Sequence, residues 1–119
     1  MTRDIDAEIH ALLPLAPAFF QILIALGDGE RHGYSVMQDV ADRTGGRVRM
    51  SPGTLYGSIK RMLAEGLIEE LTTGAAGADE RRRYYRTTKF GRRVAAAEAA
   101  RISSLLLQAH ESGLVPRPS

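Results

Sequence analysis

The residues in this chain that suit chemistry are cations beside open backbone, and the chemistry they suit is recognition of a polyanion. Read on a helical wheel, the run beginning at Ser51 puts Gly53, Thr54, Gly57, Lys60 and Arg61 opposite the apolar Leu55, Ile59, Met62 and Leu63, with Tyr56 on the flank. Glycines on the outer face of a helix cost roughly 1 kcal/mol each relative to alanine. They make sense where another surface must come close. The helix N-terminus adds free backbone N–H groups and a positive dipole, both suited to phosphate. Ser51, Thr54, Tyr56, Lys60 and Arg61 together offer phosphate-positioning and base-reading groups. Further on, seven basic residues and no acid lie between Arg81 and Arg93. Strand alternation sends Arg82, Tyr84 and Arg86 to one face and Arg83 and Tyr85 to the other. Some of Arg81, Arg82, Arg83 and Arg86 must therefore project outward, over a phosphate backbone or a minor groove.

Bond-making chemistry has no comparable support. His10, His32 and His110 are far apart, and none is paired with a second ligand at metal spacing. The absence of cysteine excludes disulfides, thiolate catalysis and cysteine zinc sites. No nucleophile elbow surrounds a serine. Gly27, Gly29 and Gly33 miss the dinucleotide-binding spacing by one residue, with no strand before them. We expect no catalysis, no cofactor and no metal.

Charge distribution sharpens the polyanion expectation. The 119 residues carry a formal net charge of only +2. Residues 1–46 hold three Arg and seven acids, a net of −4, whereas residues 47–93 hold eleven Lys or Arg and five acids, a net of +6. The N-terminus carries acids where a signal peptide has a basic region. The longest apolar run, Ala18–Leu26, is broken by Gln21 and is far short of the roughly 20 residues that span a bilayer. The expected location is the cytoplasm, with no membrane partner.

The elements that must position these residues follow from periodicity and punctuation. Ile5, Ile9, Leu12 and Leu13 mark a first helix over 2–13, ended by Pro14. Pro17 opens a second helix, apolar on most faces and hence central, with Phe19, Ile22, Leu23 and Leu26 in one stripe and Gly27-Asp28-Gly29 as its stop. A third helix over 33–44 turns Tyr34, Met37, Val40 and Ala41 inward and closes at Gly45-Gly46. Ser51 caps a fourth, with Pro52 in its first turn and Gly66 at its end. The period then changes to two: a strand over 67–72, a Gly/Ala-rich loop over 73–80 and a returning strand over 81–87, with one of Tyr84 and Tyr85 packed on the core. Thr88 caps a last helix from Lys89 to about His110. The fold class expected is mainly α with a small β-hairpin: a winged helix-turn-helix with the fourth helix as recognition helix and residues 73–80 as wing tip.

A single domain of this length buries a modest core, which favours burial against a partner subunit. The last helix carries Val94, Ala97, Ile102, Leu105, Leu106 and Ala109 with little of its own domain left to cover them. Together with Ile5, Ile9 and Leu12 of the first helix, these residues are expected at a two-fold interface. That divides the chain into a DNA-binding part, 1–88, and a dimerisation helix and tail, 89–119. A dimer of this kind presents two recognition helices roughly 34 Å apart, one turn of DNA, and reads an inverted repeat.

Four runs add a resemblance: Gly29-Glu30-Arg31-His32-Gly33-Tyr34, Ser51-Pro52-Gly53-Thr54-Leu55-Tyr56, Gly66-Leu67-Ile68 and Arg83-Tyr84-Tyr85-Arg86-Thr87-Thr88. Their types and order resemble the signature of PadR-type bacterial regulators over nearly the whole chain, in the compact form with one C-terminal helix. The resemblance implies a dimeric regulator of transcription that binds duplex DNA, with Thr54, Tyr56 and Tyr34 near the DNA backbone. Lys89 departs from it, standing where such proteins often have proline, and leaves the Thr88 cap intact. Members often respond to small hydrophobic molecules. Here there is no Trp, and no aromatic follows Phe90 in the last helix, so a small-molecule effector stays open. The rival is a winged helix used for protein contacts or for RNA. An RNA reader would show exposed aromatics for stacking, and the chain has only seven aromatics, mostly assigned to the core.

Overall fold

The computed structural model of the chain describes residues 3–71 and 83–116. Its elements are α1 (Ile5–Ala11), α2 (Pro17–Ala25), β1 (Arg31–His32), α3 (Gly33–Arg43), α4 (Pro52–Ala64), β2 (Ile68–Leu71), β3 (Tyr84–Thr87) and α5 (Lys89–Glu111). This is a winged helix-turn-helix, mainly helical, with a small antiparallel sheet.

Local chemistry sets most of the helix starts. Asp4, Ser51 and Thr88 each accept a hydrogen bond from the backbone N–H three residues on, at Ala7, Thr54 and Gly91. Pro17 starts α2 without a side-chain cap. At the end of α4, Gly66 adopts φ 74°, which lets its N–H reach the Leu63 carbonyl and the Leu67 N–H the Met62 carbonyl. These two bonds satisfy the last turn and release the chain directly into β2.

The core is built round α2, which packs on α3, α4 and α5. Ile22, Leu23, Ala25 and Leu26 of α2 are buried with Val36 and Val40 of α3, Leu55, Ile59 and Met62 of α4, and Leu67, Ile68 and Tyr85. Helix α2 is covered on most faces, and Ile24, 39% exposed, marks the open one. Tyr34, expected to point inward from α3, is 57% exposed, and Val36 takes the inward position. Tyr34 falls on the side of α3 turned away from the buried Gly33, Val36 and Val40, so its ring is left outside the core.

The sheet has three strands, where the sequence predicts two. Arg31 and His32 pair with Tyr85 and Tyr84, giving the order β1-β3-β2. A two-residue strand has no alternation to read. It forms because β3 offers a free edge beside the start of α3, and because the Arg31 side chain is anchored, donating to the Ala25 carbonyl at 2.8 Å and pairing with Asp39 at 3.4 Å.

The start of α5 is clamped to the α4–β2 junction. The Thr88 hydroxyl donates to the Gly66 carbonyl, and a side chain at Gly91 would overlap the Leu67 carbonyl. Val94 is fully buried in the protomer's own core, and Ile9 is 5% exposed there. Both are thereby removed from the set expected at a two-fold interface, since neither has surface left to offer. Ile5, Leu12 and Ala97 are half-buried against that core. Glu98 is buried as well, accepting the Leu15 N–H and two bonds from the Arg101 guanidinium. The ion pair with Arg101 holds the Glu98 carboxyl below the usual carboxylate range, against the upward push of burial. From Ile102 on the same helix stripe is uncovered: Ile102, Leu105 and Leu106 are 40–51% exposed, and Ala109 is half-buried.

Candidate nucleic-acid interface

Helix α4 presents its two faces as the wheel anticipates. Leu55, Ile59 and Met62 are buried and Leu63 half-buried, while Gly53, Thr54, Tyr56, Gly57, Lys60 and Arg61 are exposed. The Ser51 hydroxyl, besides capping the helix, donates to the Thr54 hydroxyl oxygen at 3.1 Å. That leaves the Thr54 O–H free to donate to an outside acceptor. A side chain at Gly57 would meet nothing within 4 Å, and one at Gly53 only the Ser51 hydroxyl at 3.9 Å. The protomer itself therefore needs neither glycine. They leave a shallow depression lined by Gly53, Thr54, Gly57, Ser58 and Arg61.

The two tyrosine-bearing motifs meet in space. A Cβ on Gly33 would lie 2.9 Å from the Tyr56 hydroxyl and 3.0 Å from its ring, so the missing side chain of Gly33 is what lets Tyr56 of α4 lie across the start of α3. Tyr34 follows directly and is exposed, which brings the hydroxyl end of Tyr56 to the end of α3 that carries Tyr34.

On the wing strands the described arginines are exposed, and each has an acidic partner. Of the described arginines, Arg83 pairs with Glu70 at 3.4 Å and Arg86 with Glu69, the residue directly opposite it in the ladder. Both pairs are exposed to solvent, which weakens them. Arg81 and Arg82, and the loop 73–80, lie outside the described residues. Tyr85 is the tyrosine that packs on the core, and burial, with the nearby Glu70 carboxylate adding to it, pushes its hydroxyl above the ordinary range.

Cations without an ion-pair partner among the described residues stand elsewhere. Lys60 and Arg61 on α4 are two of them; Arg47 and Arg49, in the turn before α4, are two more. Sequence reasoning missed the latter pair. The signal was there: Arg47 and Arg49 alternate with Val48 and Met50, which pack against the core and so send both arginines outward. The turn is held by Thr44, whose hydroxyl oxygen accepts the Val48 N–H at 3.0 Å. Among the described residues no group of three metal-ligating side chains occurs, and no helix is long and apolar enough to cross a membrane.

Comparison with known proteins bears on this surface. The transcriptional regulator PadR-like family matches residues 22–97, which include β1, α3, α4, the wing strands and the first part of α5. An uncharacterised protein of Lysinibacillus sphaericus is 30% identical over 71 residues, which are 60% of this chain and 64% of that protein's length. Among solved structures, a PadR family regulator from Clostridium difficile aligns with TM-score 0.70 at 21% identity, covering 81% of this chain and 97% of that one. A transcriptional regulator from Clostridium thermocellum aligns with TM-score 0.66 at 21% identity over 98% of this chain and all (100%) of that one. The Bacillus subtilis PadR, in complex with operator DNA, aligns with TM-score 0.58 at 21% identity over 89% of this chain and 51% of that one.

Proposed function

Since the chain belongs to the PadR-like family of transcriptional regulators, we propose that it is a dimeric repressor that binds a palindromic operator through the outer face of α4. The observation that carries this reading is the pair of glycines on that face. Neither Gly53 nor Gly57 is required by packing, Gly57 is costly in a helix interior, and they lie among Thr54, Lys60 and Arg61. Such a face is suited to close approach by a groove, with Ser51, Thr54 and Tyr56 at its edge and Tyr34 on α3 beside it. Arg47 and Arg49 add cations at the N-terminal end of the helix. Arg83, and Arg81 and Arg82 outside the described residues, stand as wing contacts to the flanking backbone.

In this proposal the dimer is made by the uncovered half of α5, through Ile102, Leu105, Leu106 and Ala109, with Ile5, Leu12 and Ala97 at its margin. Residues 1–88 carry DNA binding and residues 89–119 carry association, with the first half of α5 shared between them. The protein acts in the cytoplasm, and a small hydrophobic effector would act by changing the spacing of the two α4 helices.

The test is selection of bound duplexes from a random DNA library by the purified protein at near-physiological salt. An inverted repeat with half-sites about one turn apart is the expected product. Binding without a motif, vanishing as salt rises, would leave only a basic surface and put a protein-contact module ahead.

A further inference from the structure

His32 occupies a junction that the operator-binding proposal does not use. Its backbone is half of β1, paired opposite Tyr84 of β3. Its side chain is the N-cap of α3: Nδ1 accepts the Ser35 N–H at 3.1 Å. Histidine is not among the usual capping residues. A backbone N–H can only donate, so Nδ1 carries no proton, and the hydrogen of the neutral ring sits on Nε2. Nε2 lies 3.1 Å from the Ser35 hydroxyl, which accepts that hydrogen. The ring then meets Tyr84 edge-on, with centroids 5.7 Å apart and planes at 86°. The next residue, Gly33, carries the Tyr56 ring of α4 across its open Cα.

One side chain therefore fastens the wing strand to α3, and the following residue fastens α3 to α4. We propose that His32 is a positioning residue that fixes the wing strand β3 against the recognition helix α4, using its cap on α3 and its edge contact with Tyr84 as the two ends of one brace. An ordinary capping residue would start α3 as well and leave β3 joined to it by the β1 backbone pairing alone. A ring at the cap position does both. This inference rests on the operator-binding reading for its consequence, but not for its geometry.

Two arms test it on the full-length protein. In the first, without DNA, nitrogen NMR of the wild type should show the neutral His32 ring protonated at Nε2, with Nδ1 as acceptor; the opposite tautomer would overturn the brace. His32→Asn keeps a capping oxygen and loses the ring. It should leave the melting temperature close to wild type, shift the α4 amides around Tyr56 and speed hydrogen exchange in Tyr84–Thr87. Tyr84→Leu, which leaves the cap untouched, should do the same from the other side. Unchanged α4 amides in both variants would reduce His32 to a helix cap.

In the second arm, on the operator selected by the wild type, His32→Asn and Tyr84→Leu should each weaken binding by about tenfold, and the double variant no more than either alone. Additive losses, or a silent His32→Asn, would overturn the proposal. A wild type that selects no duplex would bring down the operator reading instead, while the first arm still decides whether His32 braces β3 against α4.

Discussion

On α4 and the turn leading into it, Arg47, Arg49, Lys60 and Arg61 stand exposed with no carboxylate at ion-pair distance among the described residues. On the wing strands the described arginines face the opposite situation: Arg86 lies against Glu69 and Arg83 against Glu70. In the sequence the wing looks like the stronger cation cluster, yet among the described residues its arginines are the ones with acidic partners. The difference arises from the ladder. Residues far apart in the chain become cross-strand neighbours, directly for Arg86 and Glu69 and diagonally for Arg83 and Glu70, and a directly opposed pair of opposite charges stabilises the sheet by roughly 0.2–1 kcal/mol. Among the described residues Lys60 and Arg61 have neither a partner strand nor an acid paired along the helix, so they keep their field for whatever approaches. A count of basic residues in a run therefore measures the potential of a surface poorly.

The comparison can be broken most sharply at Gly57. Gly57→Glu puts a carboxylate and its bulk on the open face of α4, and operator binding should fall by more than about a hundredfold, as expected for a clash and a like-charge contact at the groove. Circular dichroism and thermal melting should stay near wild type, because no protomer atom lies within 4 Å of the new Cβ. Unfolding of this variant would show that the face belongs to the core.

Next in size is a stability effect that separates a buried ion pair from the exposed ones of the wing. Glu98→Gln leaves the Arg101 guanidinium and the Leu15 N–H with a weaker acceptor, at a cost of about 2 kcal/mol at neutral pH. The Glu98 carboxyl is held below the usual carboxylate range in the fold. Its contribution is therefore complete above that range and lost as the pH falls through the lowered folded value. The gap between wild type and variant in denaturant melts should close with acid. Glu69→Gln on the wing should show almost no such gap, as exposed pairs contribute little.

Smaller effects separate the two basic regions directly. Lys60→Ala should weaken binding to all sequences about fivefold and reduce the magnitude of the log-affinity against log-salt slope by about 1. Arg86→Ala should change both by much less. Equal losses from the two variants would mean that DNA draws Arg86 away from Glu69. The smallest expected effect has the opposite sign: Glu69→Gln frees Arg86 and should tighten non-specific duplex binding by about twofold, measured by fluorescence anisotropy at low salt.

Much of this architecture is legible from residues a few positions apart. Ser51 and Thr88 as caps, Pro17 and Pro52 in first turns, Gly66 after α4, and the inward stripe Leu55, Ile59 and Met62 all depend on interactions within one or two helical turns, and the sequence states them directly. The open glycine face of α4 follows from the same periodicity.

What only the tertiary structure decided depends on partners distant in the chain. The strand β1 exists because β3 has a free edge, and Tyr34 is outward because Gly33, Val36 and Val40 take the inward side of α3. The pairing of Arg83 and Arg86 follows from the register of β2 on β3. On α5 apolar residues recur from Val94 to Ala109, on both sides of the Glu98–Arg101 pair, and their types do not mark where the protomer stops covering them. Val94 is sealed by the fold and Leu105 is not, because the domain against which the helix packs ends between them. Periodicity reports which side of an element is apolar. The identity of what covers that side is a property of the whole fold, since only long-range packing brings the covering surface into place.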